Sequence, residues 1–235
     1  MRVAELWRFP VKSLQGERLE SATVTPDGIE ADRRYALFDV ETGFGLTARR
    51  VPELLFASAR LVDGGQLEIA LPDGSVARDD EALSDWLGRR VVLRSSDASL
   101  DRLYENPGDF ERERDWAPFT GADGPFHDSA RTRVSLVSTA TLGAWDRRRF
   151  RSNIVLEGEG EDDLVGSSVA VGGAVLEVGK RIPRCVMTTR PQPGGIERDL
   201  DVLRTIARER DTYLAVGALV ARPGTVALGD ALQAT

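Results

Sequence analysis

The sequence predicts a mainly β fold, a barrel or a sandwich with a few short helices. Three observations predict it. Short apolar runs recur along the whole 235-residue chain. Turn sequences such as Pro26-Asp27-Gly28, Asp63-Gly64-Gly65 and Pro72-Asp73-Gly74 separate them. Helical spacing of apolar residues appears in only three places.

The elements follow in order. Val3–Phe9 reads as a strand stopped by Pro10, and Leu19–Thr25 as a strand closed by the Pro26 turn. Tyr35–Val40 follows. Ala57–Val62 and Gln66–Leu71 flank Asp63-Gly64-Gly65 and read as a hairpin. Asp79–Leu87 is a short helix with Asp79 or Asp80 as cap and Leu83, Trp86 and Leu87 as its apolar stripe. Ser95–Thr132 is rich in Asp, Glu, Arg, Gly and Pro and has little periodicity, so it reads as a long loop, functional or mobile, at the seam between two halves. Arg133–Val137 is a strand, and a helix runs from Ser138 through Arg148. Asn153–Leu156, Ser168–Val171 and Ala174–Val178 are strands, the last two joined at Gly172-Gly173. Asp199–Arg210 is the best-formed helix, with Asp199 as cap and Val202, Leu203, Ile206 and Ala207 at helical spacing. Leu214–Ala221 and Thr225–Leu228 close the chain as strands around Pro223-Gly224.

Composition narrows the function. The net charge of −7 argues against a general nucleic-acid binder, which would be basic. No run of about 18 apolar residues is present, so no membrane-spanning helix is expected. The N-terminus lacks the apolar stretch of a secretory signal, which makes the cytoplasm the expected location. One cysteine and one histidine exclude an internal disulfide, a CxxC zinc site and a cysteine-ligated iron–sulfur cluster. Any function that needs a thiolate falls on Cys185.

Cys185 lies in Arg181-Ile182-Pro183-Arg184-Cys185-Val186-Met187-Thr188-Thr189. An isolated cysteine is commonly an inert core residue. Here two arginines, Pro183 and a threonine pair surround it, and nearby guanidinium groups favour the thiolate that binds metal or attacks an electrophile. Phe9-Pro10-Val11-Lys12-Ser13 places an ammonium, a hydroxyl and free backbone N–H groups on a turn after a strand, where a phosphate could bind. Asp32-Arg33-Arg34 and Thr47-Ala48-Arg49-Arg50 add arginines at strand edges, and Arg149-Phe150-Arg151-Ser152-Asn153 adds more beside an apolar strand. Each would read alone as solvated surface charge. His127 receives no assigned role.

Taken in order, Pro10-Val11-Lys12-Ser13, Asp32-Arg33-Arg34, Thr47-Ala48-Arg49, Phe150-Arg151-x-Asn153, Pro183-Arg184-Cys185-x-x-Thr188-Thr189 and Pro223-Gly224-Thr225-x-x-x-Gly229-Asp230 resemble the MOSC-domain proteins. Those include the C-terminal domain of molybdenum-cofactor sulfurase, the amidoxime-reducing component and bacterial N-hydroxylated-base reductases. The resemblance implies a MOSC-type β-barrel with an associated N-terminal β-barrel subdomain, divided here into residues 1–95 and 96–235. It implies a molybdenum–molybdopterin cofactor between the halves, with Cys185 as catalytic residue and metal ligand. Lys12, Ser13, Arg33, Ser129, Arg151, Asn153 and Arg184 are the implied cofactor-binding residues. Ser152 departs from the family's usual proline, and Gly217 stands where the amidoxime-reducing relatives carry a tyrosine.

The implied function is an oxidoreductase that reduces a small N-hydroxylated substrate. The alternative is a sulfur carrier or cofactor-handling protein with a persulfide on Cys185. The sequence shows no GxGxxG dinucleotide signature, cannot ligate an iron–sulfur cluster through cysteines, and ends at Thr235 without the ferredoxin-like extension of some relatives. The expected electron source is therefore a separate ferredoxin, flavoprotein or cytochrome.

Overall fold

A computed structural model describes residues 1–98, 101–109 and 113–235. Its main feature is a curled, half-barrel sheet of eight strands. From edge to edge the order is Leu232–Ala234, Ser168–Val171, Ala174–Pro183, Tyr213–Arg222, Val134–Ser138, Ile154–Glu157, Arg2–Arg8 and Glu17–Leu19. Val134–Ser138 and Ile154–Glu157 pair in parallel, and the other pairs are antiparallel.

The two parallel strands are covered on both faces, as apolar parallel strands require. Val134, Leu136, Ile154 and Leu156 face a core shared with Ala22, Val24 and Val226. Val137 and Val155 face the opposite way, into a core closed by Val202 and Ile206 of the helix Leu200–Arg210. Asp199 caps that helix by accepting from the Asp201 N–H at 2.9 Å, and Asp211 ends it in the left-handed region. Each fully buried branched side chain on these faces contributes about 1.5–3 kcal/mol.

The N-terminal half builds its own core from Val11, Leu14, Leu37, Leu54, Leu55 and Leu83. Small sheets surround it: Tyr35–Asp39 with Val91–Ser95, and Ser58–Val62, Gln66–Ala70 and Val76–Ala77 in sequence. The helix Asp80–Leu87 closes one side, its cap being Asp79. The first strands do not stay with this half. Arg2–Arg8 joins the large sheet, and Ser21–Thr25 pairs with Gly224–Ala227. The halves are therefore interleaved at their seam.

Several elements differ from expectation. Ser95–Thr132 is not one irregular loop: Leu103–Asp109 pairs with Arg114–Thr120, anchored by fully buried Tyr104 against Phe38 and Phe119. The parts of that expectation on residues 99–100 and 110–112 lie outside the described residues. The helix expected through Arg148 covers only Thr139–Leu142, because Gly143 turns the backbone to φ 53° and ψ −123°. The strand expected to end at Val178 continues to Pro183. Among the described residues, no helix is long and apolar enough to cross a membrane.

Candidate functional site

The strand Arg2–Arg8 runs out at Pro10, which has no N–H for a ladder. The chain then turns with Ser13 at φ 69° and presents Lys12 and Ser13 inward. Both are 7 % exposed. Lys12 Nζ donates to the Phe126 carbonyl at 2.9 Å, lies 4.6 Å from the Tyr104 ring centroid and pairs with Asp128. Ser13 Oγ accepts from the Ala48 N–H at 3.0 Å, which fixes the segment bearing Arg49.

Arg33 also sits on left-handed backbone, at φ 52°. It pairs with Asp32, stacks 4.8 Å from the Phe9 ring centroid and donates to the Arg151 carbonyl at 3.1 Å. Asp32 is buried and accepts from the Phe9 N–H at 2.7 Å and from Asn153 Nδ2 at 3.0 Å. Asn153 Oδ1 accepts from the Ser135 N–H and Oγ at 3.1 and 2.9 Å, and its amide nitrogen also reaches the Trp7 carbonyl at 3.3 Å. Its two acceptor positions and two donors are thus used within the protein. Asn153 lines the site but acts as a brace for Asp32.

From the other half come Arg151 and the end of the long strand Ala174–Pro183. Arg151, at φ 53°, donates to the Leu14 carbonyl and stacks 4.3 Å from the Phe9 ring centroid. Arg184 donates to the carbonyls of Leu214 and Phe150 at 2.7 and 3.0 Å, and its remaining Nη2 is buried without a partner among the described residues. Cys185 is half-buried, and Arg49 Nε donates to its Sγ at 3.4 Å. Arg49 also pairs with Asp128, so one carboxylate ties Lys12 to Arg49.

These groups enclose a cavity of about 450 Å³, within the usual range of small-molecule sites. Lys12, Ser13, Arg33, Ser129, Arg151, Asn153 and Arg184 all line it, so the expected set converges although it spans most of the sequence. Cys185 stands at its margin, joined to it through Arg49. Sequence reasoning gave no role to Asp128, Lys180, Thr132 or Arg133, which line it as well. The signal for Lys180 was hidden by ending its strand at Val178. That for Asp128 lay in Phe126-His127-Asp128-Ser129.

Among the described residues, seven cationic side chains and one carboxylate face the cavity. Burial pulls the Arg151 guanidinium down to about 9, with Arg33 adding to the effect and Asp32 and Asp128 opposing it. Burial likewise lowers Arg184 to about 10. Burial, Arg49 and Arg33 lower Lys12 against the pull of Asp128. Partial burial opposes ionisation of Asp128, but Arg49 and Lys12 outweigh it and hold the carboxyl well below the usual range. His127, 7 % exposed, is pushed well below its ordinary value by burial and by Arg33, Arg133 and Lys12. Its Nε2 has no partner among the described residues.

An arrangement with crowded, depressed cations and an orphaned guanidinium nitrogen suits an anion. Among the described residues, no group of three or more His, Cys, Asp or Glu could hold a metal ion. A metal here would need a group that brings most of its own ligands, and an anionic sulfur-bearing pterin fits both demands.

Residues 1–92 match the family model for the MOSC N-terminal beta barrel domain, and residues 121–233 match the MOSC domain. A molybdenum cofactor sulfurase of Drosophila grimshawi is 25 % identical over 258 residues, 94 % of this chain and 32 % of that protein. The chain thus spans about a third of that relative's length. Among solved structures, YiiM from Geobacillus stearothermophilus aligns with 16 % identity and a TM-score of 0.36, over 58 % of this chain and 73 % of that one. The YUAD protein from Bacillus subtilis aligns with 13 % identity and a TM-score of 0.43, over 98 % and 93 %. The two family models together cover most of the sequence, and the chain belongs to the MOSC-domain family.

Proposed function

We propose that the cavity holds a molybdenum–molybdopterin cofactor, with Cys185 as a sulfur ligand, and that the protein reduces N-hydroxylated compounds. The observation that carries this reading is the convergence of Lys12, Ser13, Arg33, Arg151 and Arg184 on one cavity beside the chain's single cysteine. When bound, the molybdenum centre would supply two-electron chemistry and a Lewis acid.

The chain's own residues have distinct tasks. Among the described residues Arg151 and Arg184 have no carboxylate partner; they bind the anionic cofactor, and Arg184 Nη2 is open for a charge-assisted hydrogen bond. Lys12 and Arg33 add positive charge from the other side. Asp32 and Asn153 hold Arg33 in place. Arg49 Nε, donating to Cys185 Sγ, orients the sulfur. The overall conversion takes an N-hydroxylated compound, two electrons and two protons to the reduced nitrogen compound and water. The electrons come from a separate ferredoxin, flavoprotein or cytochrome.

A second reading has its own support. The sulfurase relative and the marginal, half-exposed position of Cys185 favour a sulfur carrier with a persulfide on that residue. Turnover of an amidoxime by cofactor-loaded protein separates the two. Reduced viologen should drive it and NADH alone should not. Cyanide-labile sulfur on Cys185 with no turnover by any donor would instead establish the carrier.

A further inference from the structure

Leu103–Asp109 and Arg114–Thr120 make a sheet of their own that, among the described residues, no other strand joins. None of their described residues lines the cavity, yet they touch the groups at its margin. The root of the pair is apolar. Tyr104 is fully buried against Phe38. Gly45 and Gly121 make room for its ring, since a Cβ at either would stand 2.2 or 2.9 Å from it. Beside it, the Phe119 ring lies 5.6 Å from the guanidinium of Arg49, the group that donates to Cys185 Sγ.

Away from this root the fastening is polar. Arg50 lies 4.4 Å from the Trp116 ring centroid and pairs with Glu105 at 3.5 Å. Glu113, just before the second strand, pairs with Arg190 at 2.6 Å and reaches Arg198 at 3.9 Å. Trp116 Nε1 donates to the Glu113 carbonyl at 2.8 Å, so the two fastenings are tied to each other. Arg50 belongs to the N-terminal half and Arg190 to the C-terminal half. Arg190 also donates to the Arg49 carbonyl at 2.9 Å. The pair of strands therefore bridges the seam beside the Arg49–Cys185 contact. Ion pairs that meet solvent are individually weak and are screened by salt. A buried root with charged outer contacts suits a segment that opens locally while the fold stays intact.

We propose that this pair of strands is a strap across the seam, with Glu113 as its latch. Latched, it holds Arg49 against Cys185 and restricts access to the sulfur. Released, it swings from the Tyr104 root and uncovers that edge of the seam. The strap governs access to Cys185 under either reading above, so its test needs no cofactor.

Cys185 is the chain's single thiol, so alkylation reports on it alone. The test follows its rate in the folded chain, made in a host that lacks the pterin, with iodoacetamide and with a bulky maleimide–polyethylene glycol. Raising salt from about 20 to about 500 mM should speed the bulky reagent about fivefold in the wild type, and the small one less. Glu113→Gln should match that acceleration at low salt and lose most of the salt response. Glu113→Asp should stay near the wild type, and Arg50→Gln should act in the same direction as Glu113→Gln. Glu68→Gln, which removes the exposed Arg60–Glu68 pair of another small sheet, should change neither rate. Urea unfolding of each variant establishes that it is folded, and the salt response of the wild type tests the strap without any substitution. A salt-independent wild type, or one that reacts at low salt as fast as the urea-unfolded chain, would overturn the proposal. So would equal rates in the wild type and Glu113→Gln, equal acceleration of both reagents, or the same acceleration from Glu68→Gln.

Discussion

The two halves of the protein bring positive charge to the cavity in different ways. The N-terminal half supplies Lys12, Arg33 and Arg49, and each has a carboxylate beside it. The C-terminal half supplies Arg151 and Arg184, which meet backbone carbonyls instead and whose pKa values are drawn down to about 9 and about 10. Paired cations are part of the framework, because their charge is already matched. Cations satisfied only by neutral dipoles keep a charge deficit that an incoming anion can fill. On the proposed reading, the C-terminal half makes the closer contacts with an anion, and the N-terminal half holds its cations ready.

That contrast can be broken first at Asp32. It is 1 % exposed and joins Arg33, Asn153 and the Phe9 N–H. Asp32→Ala leaves Arg33 without its carboxylate and should cost about 3–5 kcal/mol of stability, read by urea unfolding. A loss below about 1 kcal/mol would show that the pair is not structural. Next, Arg151→Ala should lower anion or cofactor affinity by about 2–5 kcal/mol, as loss of one partner of a buried charged contact does. Lys12→Met should lower it by less, since Asp128 keeps Arg49. Equal losses would erase the difference between the halves.

Gly217→Ala probes the packing inside the C-terminal half. The new Cβ would fall 2.3 Å from Thr132 Oγ1 and should destabilise by about 1–3 kcal/mol, with Thr132→Ala in the same chain restoring most of it. The smallest effect belongs to His127. Its imidazole stays neutral in the fold, whereas the unfolded chain protonates near 6.5. The unfolded state then binds the extra proton below that pH, so stability falls with acidification by up to about 1.4 kcal/mol per pH unit from this group. Unfolding at pH 7.5 and 5.5 should show a shallower decline in His127→Gln than in the wild type. Identical slopes would place the histidine elsewhere in the acid response.

Much of this was legible in the sequence, for physical reasons. Apolar runs between Pro, Asp and Gly turns located most strands, and Asp79 and Asp199 marked helix starts through their caps. Lys12, Arg33, Arg151 and Arg184 each sit beside a strand end, but it was the ordered resemblance to the MOSC proteins that singled them out. What was not legible depended on partners far away in the chain. In the pair Leu103–Asp109 and Arg114–Thr120 the second strand is mostly exposed, and Pro107 and Pro118 interrupt the ladder, so the pair shows no two-residue apolar period. Lys180 lies at the polar end of a strand, where it lines the cavity rather than a core. Asp128 matters only because folding places it between Lys12 and Arg49, and Asn153 resembles a ligand-binding residue until its four hydrogen bonds are counted.

The most direct test of the central proposal is the molybdenum and pterin content of the purified chain, made in a host that synthesises the cofactor. Wild type should carry close to one of each per chain. Cys185→Ala should remain folded, because the change removes little volume, yet lose the metal, and Arg184→Ala should lose pterin and metal together. A wild-type chain that folds in such a host and carries neither, or a Cys185→Ala chain with full molybdenum content, would contradict the account.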